Sequence, residues 1–422
     1  MKIAIIGAGI AGVTTAWELA RDGHQVTVYE RRNAAAEEAS FAHPGLLATA
    51  TVCGSDPSAL PWMIGRQLLA RHRSACLALP LRGAELSWLW QAWREGGTNE
   101  RARHHGRLLE LARYGQQRLH AIRTELELHF DHSQGLLLLA RAEREWIQLQ
   151  QRAAQLREHG VACREIGADE ARLLEPALHP GTALHGALHL PQDEAGNCRQ
   201  FALLLKNEAL RQGVRFVFGT EVRGIEPGAP VRLHHAPALS REPAAAASHD
   251  AVVLCAGADA ATLLRPLGLK LPLLPLHGYS VSAAVREPLN APRSAVLDER
   301  YQVTIARLGQ RVRVGGLWQI GGSAQSLRPQ ALGTLYKVLQ DWFPGAAVLS
   351  GGIQSWQGVR PTLPDGLPAL GPSGLPGLWL NLGHANHGWT LGCGAARILA
   401  DQLAGHAPAC DTAGLEPARL LG

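Results

Sequence analysis

The residues with the clearest chemical meaning stand near the start of the chain, in the run Gly7-Ala8-Gly9-Ile10-Ala11-Gly12. In a G-x-G-x-x-G run the first glycine forms a tight turn, the second lets the backbone approach a pyrophosphate, and the third lets a helix pack on a strand. Glu30 follows 18 residues after Gly12 and can accept hydrogen bonds from both hydroxyls of a ribose, while repelling a 2′-phosphate. The pattern predicts an adenine-dinucleotide site, disfavours NADP, and leaves FAD and NAD open.

The elements around this run support the prediction. Residues 2–6 form an apolar run, residues 13–20 have the helical period and end before Gly23, and residues 25–29 alternate. We expect a strand, a turn, a helix and a second strand, which together predict a buried parallel sheet. The alternative interpretation is a glycine-rich turn with a surface glutamate.

A second glycine-rich segment precedes the last long helical pattern. We predict a strand over 378–382, a loop through Gly388, and a helix from Trp389 to residue 403. The positive end of such a helix can face a ligand on which negative charge develops; the alternative is a flexible loop before an ordinary helix. His384 and His387 are three residues apart, but no carboxylate or cysteine pair completes a coordination set, so we expect no metal.

The rest of the chain predicts an α/β fold with an α+β substrate part. Apolar runs predict further buried strands at 135–140, 214–218 and 250–256, while alternating stretches predict antiparallel strands. We expect a Rossmann-like domain with a parallel sheet, and a second domain with a large, mainly antiparallel sheet and a helical insert. The predicted helices are 143–159 and 199–212, the antiparallel strands 273–283, 301–307 and 310–317, the insert 60–126, and a solvated hairpin loop 236–249.

Composition limits the class of protein. The 422 residues suggest two or three domains. A net charge of +5 without basic runs argues against nucleic acid as a partner. Seven cysteines, with no C-x-x-C spacing, fit a reducing compartment and a cytoplasmic location. We expect neither a signal peptide, because the glycine turn starts at Gly7, nor a membrane-spanning segment.

The run from Gly7 to Glu30 resembles the opening of the FAD-dependent D-amino-acid oxidase superfamily. Four later segments, 271–282, 297–317, 357–371 and 378–401, resemble the small, catalytic subunit of the bacterial D-amino-acid dehydrogenases. The resemblance covers nearly the whole chain. It implies FAD as the cofactor and a catalytic reaction at the flavin.

The resemblance also implies roles for residues in those segments. It places the helix from Trp389 at the N1/O2 edge of the flavin, where negative charge accumulates on reduction. It makes Arg360, in V-R-P, the residue that binds the substrate carboxylate as a bidentate pair. Tyr279 and Tyr301 could supply hydroxyls to the substrate or its entrance, or could equally be core aromatics. The implied reaction is hydride transfer from Cα of a D-amino acid to flavin N5, giving an imino acid that hydrolyses to a 2-oxo acid and ammonia, with no side-chain base acting on the Cα hydrogen.

One segment departs from the family. Where the family has an A-N-A-G-like stretch, this chain has residues 40–45, Ser-Phe-Ala-His-Pro-Gly. His43 could tether the flavin covalently, although a noncovalent contact or a plain loop histidine is favoured. With the glycine run, Glu30, His43 and Arg360, the predicted cofactor contacts are Arg31, Ser40, Gly45, Val222, Ala256, Gly257, Gly383, His384, Gly388, Trp389 and Thr390.

We assign residues 1–52, 190–262 and 352–422 to the FAD-binding domain, and 53–189 and 263–351 to the substrate domain. The resemblance implies a quinone or another acceptor besides O2. The insert could dock peripherally on the inner face of the cell membrane or pack as an amphipathic lid. Its large apolar residues are Trp62, Met63, Ile64, Leu68, Leu69, Trp88, Leu89, Trp90 and Trp93.

Three alternative functions follow from the same residues. The protein could be a flavin oxidase or dehydrogenase of secondary amines such as proline, hydroxyproline or sarcosine, since the same cofactor site and carboxylate-binding arginine would serve. It could be a flavin-binding scaffold subunit of a heteromeric dehydrogenase. A nicotinamide reductase fits less well, because the C-terminal glycine loop and helix would then have no role.

Overall fold

The computed structural model describes residues 1–52, 59–66, 72–95, 100–240, 242–322 and 327–420, without the side chains at 62, 66 and 100–102. Leu68, Leu69 and the side chain of Trp62, which we proposed for membrane docking, lie outside this description. Within it, the chain forms two large sheets, a small third sheet, and helices packed against them.

The first large sheet has six strands in the order β18-β19-β12-β1-β2-β8. Its strands pair in parallel except β18, which is antiparallel to β19. The predicted strand, turn, helix and strand at the start of the chain are confirmed. The bounds are β1 Lys2–Ile6, β2 Gln25–Tyr29, β8 Arg215–Val217, β12 Ala251–Leu254, β18 Ala369–Pro372 and β19 Leu378–Leu382.

Helices cover one face of this sheet and bury its side chains. The first helix begins after the glycine turn, and its face with Val13, Trp17 and Leu19 is buried against the strands. The helix predicted from Trp389 begins at Gly388 and lies between the first helix and a long helix of the insert. The bounds are α1 Ile10–Arg21, α5 Glu100–Glu125, α8 Cys198–Arg211 and α11 Gly388–Leu403, with α9 Ala260–Leu264 following β12.

The second large sheet has ten strands and is mainly antiparallel, as predicted. Its path runs β17-β13-β16-β15-β14-β5-β7-β3, with β4 beside β16 and β6 beside β7; only the pairs β14 with β5 and β16 with β4 are parallel. The bounds are β3 Leu46–Leu47, β4 Ala75–Leu77, β5 His132–Ala140, β6 Arg164–Gly167, β7 Gly186–Gly196, β13 Leu274–Ala284, β14 Ala295–Asp298, β15 Val303–Leu308, β16 Arg311–Ile320 and β17 Gln354–Thr362.

Helices of this part pack on both faces of the second sheet: α6 shares an apolar cluster with Leu136 and Leu138 of β5, and α7 and α10 share one with Leu137 and Leu139, which point to the opposite face. The last of them, α10, buries Leu335, Val338 and Trp342 under strands β13 and β16. The bounds are α6 Glu143–Glu158, α7 Ala168–Leu174 and α10 Pro329–Trp342. Strand β17 pairs along its whole length with β13, although its residues fall within the range that we assigned to the FAD-binding domain. The division of the chain into domains stays a prediction.

The third sheet corrects one expectation. The segment 236–249, predicted as a solvated loop, contains the end of β10 and all of β11. The Ala-rich residues 245–249 have low strand propensity, but they pair with residues 231–235 of β10, and that pairing decides the conformation. Only residues between the strands form the turn. The bounds are β9 Thr220–Glu226, β10 Val231–Pro237 and β11 Ala245–His249.

The insert is helical where it is described, except that residues 75–77, within the predicted range, form strand β4 because they pair with β16. It has a buried side and an exposed side. Leu60, Ile64 and Trp88 are buried against strands β13 and β16. On the outside of α4, Trp90 and Trp93 are 56% and 65% exposed. None of the described helices combines the length and apolar character that crossing a membrane requires. The bounds are α2 Thr49–Val52, α3 Leu60–Arg66 and α4 Gly83–Glu95, followed by α5.

Candidate functional site

The glycine turn between β1 and α1 has the geometry that its spacing predicts. Gly7 has φ +102°, and a Cβ there would lie 2.7 Å from the carbonyl oxygen of Cys255. A Cβ at Gly12 would lie 1.9 Å from the carbonyl oxygen of Gly7. At Gly9 a Cβ would meet only Ser40 Oγ, at 3.6 Å. The first and third glycines are therefore required by the fold, and the second faces open space where a phosphate could approach.

Glu30 closes the same site from the end of β2. Its Oε2 accepts a hydrogen bond from the backbone N–H of Ala8 at 2.7 Å, and its Oε1 accepts one from Arg32 N–H at 2.8 Å. Burial raises the pKa of Glu30, and these two donors oppose the rise. Each carboxylate oxygen has a further lone pair, and the side chain lines the cavity described next, so it can accept ribose hydroxyls there.

A cavity of about 1050 Å³ joins the glycine turn to the start of α11. This volume lies at the upper end of the range for small-molecule sites, about 300–1,000 Å³, and suits an elongated cofactor with a small substrate. The predicted residues that line it are Gly7, Gly9, Ile10, Ala11, Glu30, Arg31, Ser40, His43, Val222, Ala256, Gly257, Tyr279, Arg360, Gly383, His384, Gly388 and Trp389. Those that do not line it are Ala8, Gly12, Gly45, Tyr301 and Thr390.

The last predicted segment forms the other end of the cavity. The His387 side chain makes no capping hydrogen bond to the first turn of α11. His384 is 6% exposed, and its Nε2 has no partner among the described residues. Burial lowers the pKa of His384 to about 4, and burial together with repulsion from His43 and Arg360 lowers that of His387 to about 3. Both rings are therefore neutral at pH 7.

Arg360 extends from β17 into the wall of this cavity. Its Nη1 donates to the carbonyl oxygen of Leu317 at 2.8 Å, and no Asp or Glu of the described ranges forms an ion pair with it. Burial lowers the pKa of Arg360 to about 10. The guanidinium thus contacts carbonyl groups and lies over the Trp318 ring, with its Cζ 5.5 Å from the ring centre. This is the state expected of a side chain that receives its carboxylate from a ligand.

Gly278 is a residue of the candidate site that the motif analysis missed. It lies on β13, and a Cβ there would be 2.2 Å from Arg360 Nη2. The bare backbone at this position makes the space in which the guanidinium lies. The available signal was a glycine inside a predicted strand, which often marks a close approach.

The two predicted tyrosines differ in placement. Tyr279 lines the cavity, but its hydroxyl donates to Gln319 Oε1 at 2.6 Å and its ring packs with the apolar cluster under α10. The pKa of Tyr279 is raised to about 12, and burial is the main cause of the rise. Tyr301 lies away from the cavity, with the Arg141 guanidinium 5.2 Å from its ring centre. The structure therefore brings Tyr279 to the site and leaves Tyr301 outside it.

The residues before Tyr301 explain its position, because they form ion pairs that join the β14–β15 turn to α6 and α10. Asp298 accepts from Arg141 Nε and Trp342 Nε1, each at 2.6 Å. The carboxylate of Glu299 accepts two hydrogen bonds from Arg152. The D-E-R-Y run thus has a structural role visible only from partners more than 40 residues away.

His43 lines the cavity with both ring nitrogens engaged. Its Nδ1 accepts from Gly45 N–H at 3.1 Å, so Nε2 carries the hydrogen and donates to the carbonyl oxygen of Asn386, also at 3.1 Å. Burial lowers the pKa of His43 to about 4. Neither nitrogen is left free for a covalent bond to a cofactor in this arrangement.

The cavity wall carries the chemistry of a ligand-binding surface. Residues that line it have buried polar atoms without a partner in the described part of the chain, among them Trp356 Nε1, Asn381 Oδ1, His384 Nε2 and Asn386 Oδ1. Buried polar groups are normally hydrogen-bonded, so these atoms indicate a polar ligand. No cluster of three or more His, Cys, Asp or Glu side chains suited to a metal ion occurs in the same described part.

The chain matches the family described as DAO, FAD dependent oxidoreductase, over residues 2–402. It belongs to this family of FAD-dependent oxidoreductases and is an enzyme. Two similar relatives are both named D-amino acid dehydrogenase. The protein from Rhizobium rhizogenes is 35% identical, covering 99% of this chain and 100% of its own length. The protein from Phenylobacterium zucineum is 36% identical, covering 97% and 96%.

Solved structures show the same fold at low identity. Glycine oxidase from Geobacillus kaustophilus superposes with a TM-score of 0.75 at 22% identity, covering 100% of this chain and 99% of its own. L-Proline dehydrogenase from P. horikoshii has a TM-score of 0.73 at 18% identity, covering 99% and 97%. L-α-Glycerophosphate oxidase from Mycoplasma pneumoniae, described with FAD bound, has a TM-score of 0.71 at 17% identity, covering 96% and 94%.

Proposed function

We propose that this enzyme is an FAD-dependent dehydrogenase that oxidises D-amino acids to 2-oxo acids and ammonia. The observation that carries the proposal is Arg360, a guanidinium without an acidic partner among the described residues, in the wall of the cavity that links the glycine turn to α11. The names of the relatives at 35% and 36% identity support the choice of a D-amino acid. The fold alone would not, because its neighbours include an L-proline dehydrogenase.

The cofactor would lie between the two loops that the fold brings together. Glu30 would accept the ribose hydroxyls, and the start of α11 would face the ring system. The N-terminal end of α1 at Ala11 would hold the pyrophosphate, because the N–H of Ile10 already donates to Ser40 Oγ at 3.1 Å. When bound, FAD accepts a hydride from the substrate Cα. Because both ring nitrogens of His43 are engaged, we propose that the cofactor is held noncovalently; after acid precipitation, yellow colour should remain in the supernatant, and colour retained by the chain would contradict this.

The protein's own residues would bind and orient the substrate. Arg360 would receive the carboxylate as a bidentate pair, and Gly278 keeps space for the guanidinium. Neutral His43, His384 and His387 add no charge near this site, so a monoanionic carboxylate is the complementary ligand. Orientation of Cα by this pair, with no acid or base acting on it, would be the main catalytic contribution of the side chains.

The decisive experiment is an anaerobic substrate panel with the purified holoenzyme. Bleaching of the flavin by D-alanine and other D-amino acids, but not by their L-enantiomers, is expected. Preference for proline, hydroxyproline or sarcosine would instead establish the secondary-amine alternative. Failure of every member of the panel to reduce the flavin of the isolated chain would favour a scaffold subunit and contradict the proposal.

For the electron acceptor we propose a membrane quinone, reached while the enzyme is bound peripherally to the lipid surface. Leu86, Trp90 and Trp93 are exposed and fall on one side of α4, a pattern that suits an interfacial helix, while Arg94 stacks on Trp90 at 4.9 Å. The wild-type enzyme should sediment together with vesicles that contain anionic lipid. The double variant Trp90→Gln, Trp93→Gln should stay in the supernatant. The matched control Leu239→Gln, at a fully exposed leucine in a turn, should still sediment. Equal sedimentation of both variants would contradict docking through α4.

The choice of acceptor is tested by comparing rates. If the enzyme reduced O2 as fast as it reduces an artificial dye, the proposed quinone acceptor would be contradicted.

A further inference from the structure

The long helix α5 touches the first turn of α11 backbone to backbone. A Cβ at Gly115 of α5 would lie 2.2 Å from the carbonyl oxygen of Thr390, and a Cβ at Gly394 would lie 2.9 Å from the Cα of Gly115. Both contacts are with backbone, which cannot turn aside as a side chain can. The two glycines therefore set the separation of the helices at the end of α11 that meets the cavity.

The opposite side of α11 is held by α1. Thr14 Oγ1 donates to the carbonyl oxygen of Gly392 at 3.1 Å, and a Cβ at Gly392 would lie 3.4 Å from Ile10 Cγ1. The first two turns of α11 are thus fixed from both sides, by α1 and by α5.

A buried ion-pair cluster joins the same three helices further along. Glu18 of α1 is fully buried; Arg118 of α5 donates to its two oxygens at 2.6 and 2.8 Å, and Arg397 of α11 donates to Oε2 at 3.1 Å. This cluster keeps α5 in register with α11, so the glycine contact is part of a rigid arrangement.

The start of α11 is the part of this arrangement that meets a ligand. Gly388 and Trp389 line the cavity, and the nearly buried His384 beside them has a ring nitrogen with no partner among the described residues. Helix N-termini stabilise negative charge over about one turn, so a small sideways movement of this turn changes the stabilisation.

We propose that Gly115 is a positioning residue: through its contact with Thr390 it fixes the first turn of α11 and thereby sets the reduction potential of the bound FAD. The inference rests on FAD binding in the main cavity, as proposed above, and is independent of the amino-acid substrate. It gives the insert, through α5, a role in tuning the cofactor besides any contact with a membrane.

The test compares Gly115→Ala and Gly394→Ala with Gly106→Ala. Gly106 lies on α5 as well, but a Cβ there would meet only the His159 side chain, at 3.0 Å from Nε2, which can move. The reduction potential is measured by equilibration with a reference dye, without amino acid. In the first two variants we expect the affinity for reduced FAD to fall, relative to that for oxidised FAD, by up to about tenfold. For a two-electron couple this lowers the reduction potential by about 30 mV. Gly106→Ala should keep the wild-type value.

A potential unchanged in both contact variants, or shifted equally in Gly106→Ala, would overturn the inference. If the alanine variants do not fold, Arg118→Lys replaces them, because it keeps the positive charge but loses the two-point contact with Glu18. It is expected to shift the reduction potential in the same direction by a smaller amount. An unchanged potential in Arg118→Lys would also overturn the inference. A wild-type protein that binds no FAD would refute the proposed function, whereas FAD-loaded variants without a shift refute only the role of Gly115.

Discussion

Partly buried arginines in two regions of this molecule have opposite surroundings. At the junction of α1, α5 and α11, Arg118 pairs with Glu18, and Arg397 pairs with Glu18, Asp22 and Asp401, so these two cations are compensated within the protein. At the cavity, Arg360 contacts carbonyl oxygens, with no acidic partner among the described residues. An arginine paired with carboxylates holds helices together, whereas an arginine without a carboxylate partner in a cavity wall can pair with an anionic ligand. The presence or absence of an acidic partner therefore distinguishes a structural arginine from a ligand-binding one.

The largest expected effect comes from breaking the neutralised cluster. Glu18→Ala would leave Arg118 and Arg397 without their shared carboxylate, although Arg397 keeps Asp22 and Asp401. We expect the free energy of unfolding to fall by about 3–5 kcal/mol, the range for breaking a buried pair. Denaturant titration measures it. Glu125→Ala, which breaks the exposed pair with Arg21, should cost under about 1 kcal/mol, and equal losses would contradict the distinction.

The second prediction concerns Arg360, the cavity arginine without an acidic partner among the described residues. Arg360→Leu should weaken transition-state binding of D-alanine by about 2–5 kcal/mol, mainly through a higher KM, because the carboxylate loses its charged partner. Stability should not fall, since the variant removes an uncompensated charge. Steady-state kinetics and a thermal melt read the two quantities separately. Unchanged kinetics would refute the assignment of Arg360, and a large loss of stability would show that its charge serves the fold.

A smaller effect concerns Glu30, a buried carboxylate whose partners are N–H groups. Because burial raises its pKa, Glu30 takes up a proton at a higher pH than an ordinary glutamate, and the neutral carboxyl accepts hydrogen bonds from the ribose hydroxyls more weakly than the carboxylate does. FAD affinity, followed by flavin fluorescence, should be full above that pKa and fall as the pH drops through it. Glu30→Gln should bind FAD more weakly by about 1.5–3 kcal/mol, without this pH dependence. Glu125→Gln, at an exposed carboxylate that pairs with Arg21 and does not line the cavity, should retain it; a pH profile shared by all three proteins would contradict the role.

The smallest effect tests the placement of Tyr301. Since its ring lies against Arg141 outside the cavity, Tyr301→Phe should leave the KM and kcat for D-alanine within about twofold, which is under 0.5 kcal/mol by the rate relation. A tenfold rise of KM would show that the hydroxyl reaches the substrate after all.

Local signals in the sequence predicted the parts of the site that depend on neighbouring residues. The glycine turn, Glu30 and the start of α11 follow from steric and helix-end rules that act within a few residues. The assignment of Arg360 came from a resemblance, because nothing local separates it from the other arginines of the chain. Gly278 had only a weak local signal, a glycine inside a predicted strand. Gly115 and the partners of Asp298 became visible only when strands and helices distant in the chain were placed together, and strand β11 formed against the propensity of its alanines for the same reason.

The order of strands in the first sheet has a consequence for biosynthesis. Strand β1 lies beside β12, and β12 lies beside β19, so the sheet that carries the glycine turn is completed by a strand made more than 370 residues later. The helix end that lines the cavity follows still later, at Gly388. In a nascent chain the proposed FAD site would therefore lack one of its two ends until the residues after Gly388 had been made, and bound cofactor would stabilise only the form in which both ends are present.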